Sequence, residues 1–123
     1  MRDLEARSET LGISTNELMN NAGFSIASHI AKNMGPMKGL RVVSLVGTGN
    51  NGSDCLIASG HLAKWGASVT AVILKPRPEP DLRRQETLEK GISFIDISEG
   101  KENCAFSSIH SLLINAHIIV DGI

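Results

Sequence analysis

The sequence has no tyrosine, one tryptophan and three phenylalanines among its 123 residues. A stacking surface for single-stranded nucleic acid needs more aromatic faces than that. Charge of one sign is also missing. Twelve Lys and Arg stand against 13 Asp and Glu, a net charge of -1, so no electrostatic pull toward nucleic acid or anionic lipid is expected. No apolar run approaches the roughly 20 residues that cross a bilayer. The amino terminus, Met1-Arg2-Asp3-Leu4-Glu5, lacks the apolar stretch of a signal peptide. Cysteine is scarce: Cys55 and Cys104 have no metal-type spacing and read as reduced thiols of a cytoplasmic protein. His29, His61, His110 and His117 stand singly and read as structural or solvated.

What is present is ordinary for one soluble domain: 41% hydrophobic and 20% charged residues. Residues 2–11 read as a short helix closed by Gly12. A second helix starts at Ser14, where Ser14 and Glu17 have capping-box spacing. Leu18, Ala22, Ile26, Ile30 and Met34 recur every four residues and predict its buried face. Gly35-Pro36 ends it. Apolar, β-branched runs at 40–46, 69–74, 92–97 and 117–121 predict four strands. Between them, 55–65, 81–90 and 104–115 read as helices. Lys75-Pro76-Arg77-Pro78-Glu79-Pro80 reads as a solvated loop.

Strand and helix alternate after residue 40, and the strands are continuously apolar. That pattern predicts a three-layer αβα, Rossmann-like fold with a mainly parallel sheet. The chain stops just after the fourth strand, at Val120-Asp121-Gly122-Ile123, so the fold reads as truncated there. In such sheets ligands sit at the carboxyl ends of the strands. Two loops leave carboxyl ends with suitable chemistry: Gly47 to Asp54, and the one that begins at Asp121.

Gly47-Thr48-Gly49-Asn50-Asn51-Gly52-Ser53-Asp54 reads as a strand-to-helix turn. Its glycines permit positive φ and close approach of a ligand to the backbone. The helix that follows directs free N–H groups and a positive dipole end at the turn, which suits phosphate. Asn50, Asn51 and Asp54 add side-chain donors and acceptors. The bland alternative is a tight turn in which Asp54 merely caps its helix. The glycine spacing also fits the dinucleotide turn of hydride-transferring oxidoreductases, but no acid closes the second strand at Leu74-Lys75. A Walker phosphate loop is excluded, because no Gly-Lys-Ser/Thr follows.

The turn, the helix before it and the last strand together resemble the NAD(P)H-hydrate epimerase family, the YjeF N-terminal domain. That family's hallmark is Gly-Pro-Gly-Asn-Asn-Gly-Gly-Asp-Gly after a strand. Leu18-Met19-Asn20-Asn21-Ala22-Gly23 looks like its Leu-Met-Glu-Asn-Ala-Gly. Ala63-Lys64-Trp65-Gly66 looks like its Ala-x-Trp-Gly, and Ile118 to Ile123 looks like its strand into Asp-x-x-Phe/Leu-Gly-Thr-Gly. Departures are Thr48 for proline, Asn20 for glutamate, and Ser53 and Cys55 for glycines.

The resemblance implies an isomerase that interconverts the R and S epimers of NADHX and NADPHX, the hydrated cofactors. On that reading residues 1–123 are the amino-terminal portion of one epimerase domain, inactive alone, in a homo-oligomer such as a dimer. A fused ADP-dependent dehydratase domain is an implied partner. The resemblance assigns ligand binding to Asn50, Asn51, Gly52, Ser53 and Asp54, and a potassium ion to Asn51 and Asp121. Asp54 and Asp121 are the candidates for proton transfer, since epimerisation at a carbinolamine-like carbon needs an acid or base. For Asp121 a cation-ligand role is the bland alternative. Cys55, at a helix start, is either reactive or a buried, inert thiol. The family also contains members that serve as non-catalytic nucleotide- or protein-binding modules.

Overall fold

A computed structural model describes residues 15–77, 91–98 and 105–123. The elements are α1 (Thr15–Met34), β1 (Arg41–Val46), α2 (Gly49–Lys64), β2 (Ser68–Ile73), β3 (Ser93–Asp96), α3 (Ala105–Asn115) and β4 (Ile118–Gly122). The expected helices over 2–11 and 81–90 lie outside the described residues, as do Ser14 and Cys104.

Every described strand pairing is parallel, in the order β3-β2-β1-β4. The central strand β1 is almost wholly buried, and Val42, Val43 and Val46 are each at most 2% exposed. Covered on both faces, such a strand reads as a continuous apolar run and not as an alternation. One face of the sheet packs against α2, the other against α3. This is the expected αβα, Rossmann-like arrangement. The core gathers Val42, Val46, Leu56, Leu62, Ala71, Ile73 and Val120. Burying a leucine such as Leu56 or Leu62 stabilises the fold by about 1.5–3 kcal/mol. One polar link crosses this core: Ser44 Oγ and Ser59 Oγ lie 2.6 Å apart, and Ser59 donates to the Cys55 carbonyl at 2.7 Å.

The buried face of α1 differs from the expected one. Ile26 and Met34 are exposed, whereas Gly23 and Ala27 are buried. The reason is that α1 packs on α2 through small residues. A Cβ on Gly23 would stand 2.3 Å from Ile57 Cγ2. Such close approach pushes the large residues at Ile26 and Ile30 to the flank, where they become a wall.

At the amino ends of the strands, β1 and β4 are tied together by Arg41. Its N–H donates to His117 Nδ1 at 2.9 Å, its carbonyl accepts from His117 N at 2.9 Å, and its Nε donates to the Asn115 carbonyl at 2.7 Å. His117 is therefore structural. At the carboxyl ends the same two strands are tied by Gly47 N–H, which donates to the Gly122 carbonyl at 3.1 Å. The switch in strand order falls between β1 and β4, so this is the end where a ligand crevice is expected.

Candidate functional site

The glycine segment is shorter as a turn than its sequence suggests. Only Gly47 and Thr48 connect β1 to α2, and the helix already runs from Gly49. Thr48 is the N-cap residue, with extended backbone and no capping hydrogen bond from its hydroxyl. No acidic side chain lies in the first turn. The Thr48 hydroxyl does not cap the helix, and the positive dipole end of α2 suits an anion. Asp54 sits in the second turn, so it is not the helix cap.

The three glycines answer different needs. Gly49 has φ of +72°, a conformation that a side chain disfavours. Gly52 is helical, but a Cβ there would lie 2.2 Å from the Gly47 carbonyl oxygen and 2.4 Å from Arg77 Nη1. Its close neighbours are thus the protein's own atoms. Gly47 is pressed against the end of β4: a Cβ there would stand 3.1 Å from Gly122 O and from Ile123 Cα.

Asn51, Asp54 and Asp121 come together. They line a cavity of about 320 Å³ with Cys55, Ile26, Ile30, Ile119 and Val120. Asn51 and Asp54 come from α2, Asp121 from β4, and the isoleucines of α1 form the apolar wall. A second cavity, of about 120 Å³, lies over the amino end of β1 beside α3 and holds no carboxylate. The larger one has the position and the chemistry. Within it Asp54 is half-buried, with Oδ1 fully out of solvent. Asp121 is exposed, and its Oδ1 accepts from Ile123 N–H at 3.0 Å, which fixes the carboxylate at the start of its loop.

Cys55 lies behind the two carboxylates. Its thiol is directed at the carbonyls of Leu45 and Val120, 3.8 Å from each. Burial pushes its pKa up from 9.0 to about 11. The inert reading of this thiol is the one that fits, because the helix end does not offset the loss of solvation.

Gly52 and Ser53, also expected to touch ligand, do not line the cavity. They turn to the opposite flank, where Arg77 reaches them. Arg77 Nη1 donates to the Gly47 carbonyl at 2.8 Å and Nη2 to Ser53 Oγ at 3.0 Å, while Ser53 donates onward to the Gly49 carbonyl at 3.2 Å. Arg77 is thus no part of a merely solvated loop. Proline on either side made the segment look like a linker; a lone arginine just after β2 was the only signal. Asn50 is half-buried in the first turn and is not among the cavity's lining residues.

Among the described residues, no group of three or more His, Cys, Asp or Glu could hold a metal ion. His29 bonds to Asn33 one turn on, and His61 packs edge-on against Phe24. No helix among the described residues is long and apolar enough to cross a membrane.

Comparison with known proteins follows the same lines. Residues 15–123 match the family described as YjeF-related protein N-terminus. A bifunctional NAD(P)H-hydrate repair enzyme Nnr of Hyperthermus butylicus is 44% identical over 84 residues, which is 68% of this chain and 15% of that protein. The NAD(P)H-hydrate epimerase of Nitrosopumilus maritimus is 30% identical across 100% of this chain and 55% of its own length. That of Cryptococcus neoformans is 32% identical over 98% of this chain and 46% of its own. The chain spans about half the length of these epimerases and a smaller part of the bifunctional protein. The crystal structure of yeast ynu0 superposes with a TM-score of 0.72 at 22% identity, covering 98% of this chain and 53% of that one, and supports the fold. With a family match over 15–123, the chain belongs to the YjeF-related protein N-terminus family.

Proposed function

We propose that this chain is the amino-terminal portion of an NAD(P)H-hydrate epimerase domain, acting on the R and S forms of NADHX and NADPHX. The observation that carries the reading is the meeting of Asn51, Asp54 and Asp121 around one cavity at the carboxyl ends of β1 and β4. The amino end of α2 suits the diphosphate of a dinucleotide, and the isoleucine wall suits the apolar face of a ring.

Epimerisation here is loss and return of water at a carbon beside the ring nitrogen. An acid protonates the departing hydroxyl as the nitrogen lone pair forms a C=N bond. Water then adds to the other face and returns the proton. Asp54 is assigned this transfer. Its half-buried carboxyl group keeps proton exchange within the cavity, and a positioned acid or base contributes about 10²–10⁴ in rate.

Asn51 and Asp121 are assigned to a potassium ion. They offer only oxygen or amide donors, the Cys55 thiol beside them stays protonated, and no cluster suited to a transition metal exists among the described residues. The donor set therefore fits a hard monovalent cation, which would supply positive charge beside the substrate. The same reading places the protein in the cytoplasm, as a homodimer, with the remainder of the domain supplying the rest of the site.

The test is direct. The full protein, incubated with one epimer of NADHX in potassium buffer, should bring R and S to equilibrium, followed by chromatography. Folded protein that leaves the epimer ratio at the uncatalysed drift would overturn the assignment. Exchange of potassium for a bulky organic cation should slow the reaction.

A further inference from the structure

The clamp made by Arg77 has no part in the reaction just described, yet it grips the segment that carries the reacting groups. Its two acceptors are the last residue before α2, Thr48 apart, and the residue directly before Asp54. The Gly47 carbonyl lies 2.8 Å from Nη1 and Ser53 Oγ 3.0 Å from Nη2. The guanidinium thus spans the turn and ties its start to the second turn of the helix. Fork geometry of this kind fixes orientation as well as distance.

Three features show that the contact is built and not incidental. Holding an arginine in one geometry costs side-chain entropy, which its hydrogen bonds must offset. A cation near the amino end of a helix is unfavourable, so the helix dipole does not draw Arg77 there. The guanidinium also packs closely on the helix, since a Cβ at Gly52 would stand 2.4 Å from Nη1 as well as 2.2 Å from the Gly47 carbonyl oxygen. Ser53 completes the pair by accepting from Arg77 and donating to the Gly49 carbonyl at 3.2 Å.

We propose that Arg77 is a positioning residue for the site. By locking Gly47 to Ser53 it sets the rotation of the first two turns of α2, and so aims Asn51 and Asp54 into the cavity on the other flank. A rigid helix transmits this directly, since residues 51, 53 and 54 are fixed at about 100° steps around one axis. Small misplacements of a reacting group lower rate more than binding. The kinetic part of this inference rests on the epimerase reading; the mechanical part does not.

The experiment compares Arg77→Gln, Arg77→Lys, Ser53→Ala and the Arg77→Gln/Ser53→Ala double variant in the full protein. Epimerisation kinetics with NADHX, thermal unfolding, and amide hydrogen exchange over residues 49–54 are read together. Arg77→Gln should lower kcat about tenfold with KM within about twofold. Arg77→Lys, which keeps one donor, should regain part of the loss. The double variant should be no slower than Arg77→Gln alone, because both changes remove one interaction. Exchange over 49–54 should accelerate in each variant while the remaining amides of α2 hold. If Arg77→Gln does not fold, Ser53→Ala carries the same test through one lost hydroxyl.

Full kcat in folded Arg77→Gln, effects that multiply in the double variant, or a rise in KM alone would overturn the proposal. The last would make Arg77 a ligand-binding group. If the wild-type protein shows no epimerisation, the functional reading fails. Amide exchange then judges the clamp by itself, and unchanged exchange in Arg77→Gln would overturn it.

Discussion

Two flanks of one helix end behave differently. On one, Asn51 and Asp54 border an open cavity with Asp121. On the other, Gly52 and Ser53 are closed against the Gly47 carbonyl and Arg77. These four residues are consecutive in sequence and share one motif, yet only half of them meet the cavity. A dense motif therefore combines two tasks. One set of residues presents chemistry, and the set between them holds the first set still.

The largest effect should come from the change that breaks both flanks. Gly52→Ala forces a methyl group to within 2.2 Å of a backbone oxygen, where no flexible side chain can give way. We expect a loss of about 2–4 kcal/mol in stability by denaturant unfolding, together with loss of epimerisation. Normal stability in this variant would show that the turn relaxes freely.

Asp54→Asn should separate the flanks. On the proposed assignment it removes the proton-transfer group and keeps the shape, so kcat should fall about 100-fold or more, with the unfolding temperature nearly held. A stable variant with full activity would move the chemistry to another residue. Asp121→Asn addresses the same cavity from β4. It should raise the potassium concentration for half-maximal rate about tenfold, because a charged oxygen ligand becomes neutral. Unaltered potassium dependence would remove Asp121 from the cation site.

The smallest effect concerns Cys55, a buried residue of the cavity wall. Burial pushes its thiol up from the ordinary 9.0 to about 11 in the folded chain. A raised folded pKa means that stability is intact below pH 9 and declines as pH rises through 11, because the unfolded chain releases its proton first. Between pH 8 and pH 10 the loss is about 1 kcal/mol. Cys55→Ala should flatten that part of the stability curve. A slope that persists unchanged would assign it to other groups.

Much of this was legible in the chain. The continuous apolar runs gave the parallel strands, and Gly35-Pro36 gave the end of α1. Asn51, Asp54 and Asp121 were singled out before any geometry, and the structure brings the three to one cavity. The face of α1 was misjudged because large apolar residues suggest burial, whereas close helix contact favours small ones: Gly23 against Ile57 decided it. The start of α2 was placed too late because Gly49 and Gly52 look like turn residues, although only Gly49 needs a positive φ. Arg77 was missed because its partners lie 30 and 24 residues away, and prolines around it signal a loop.

By itself the sequence determined the layered parallel fold and the two loops at its carboxyl ends, because strand and helix periodicity and turn chemistry are local properties. Only the tertiary structure decided which motif residues share the cavity and which are clamped behind it. The pairing of Val46 with Gly122 brings the two loops together, and the pitch of α2 then directs neighbouring side chains to opposite flanks. Those are matters of register and rotation, and they become fixed only when distant segments pack.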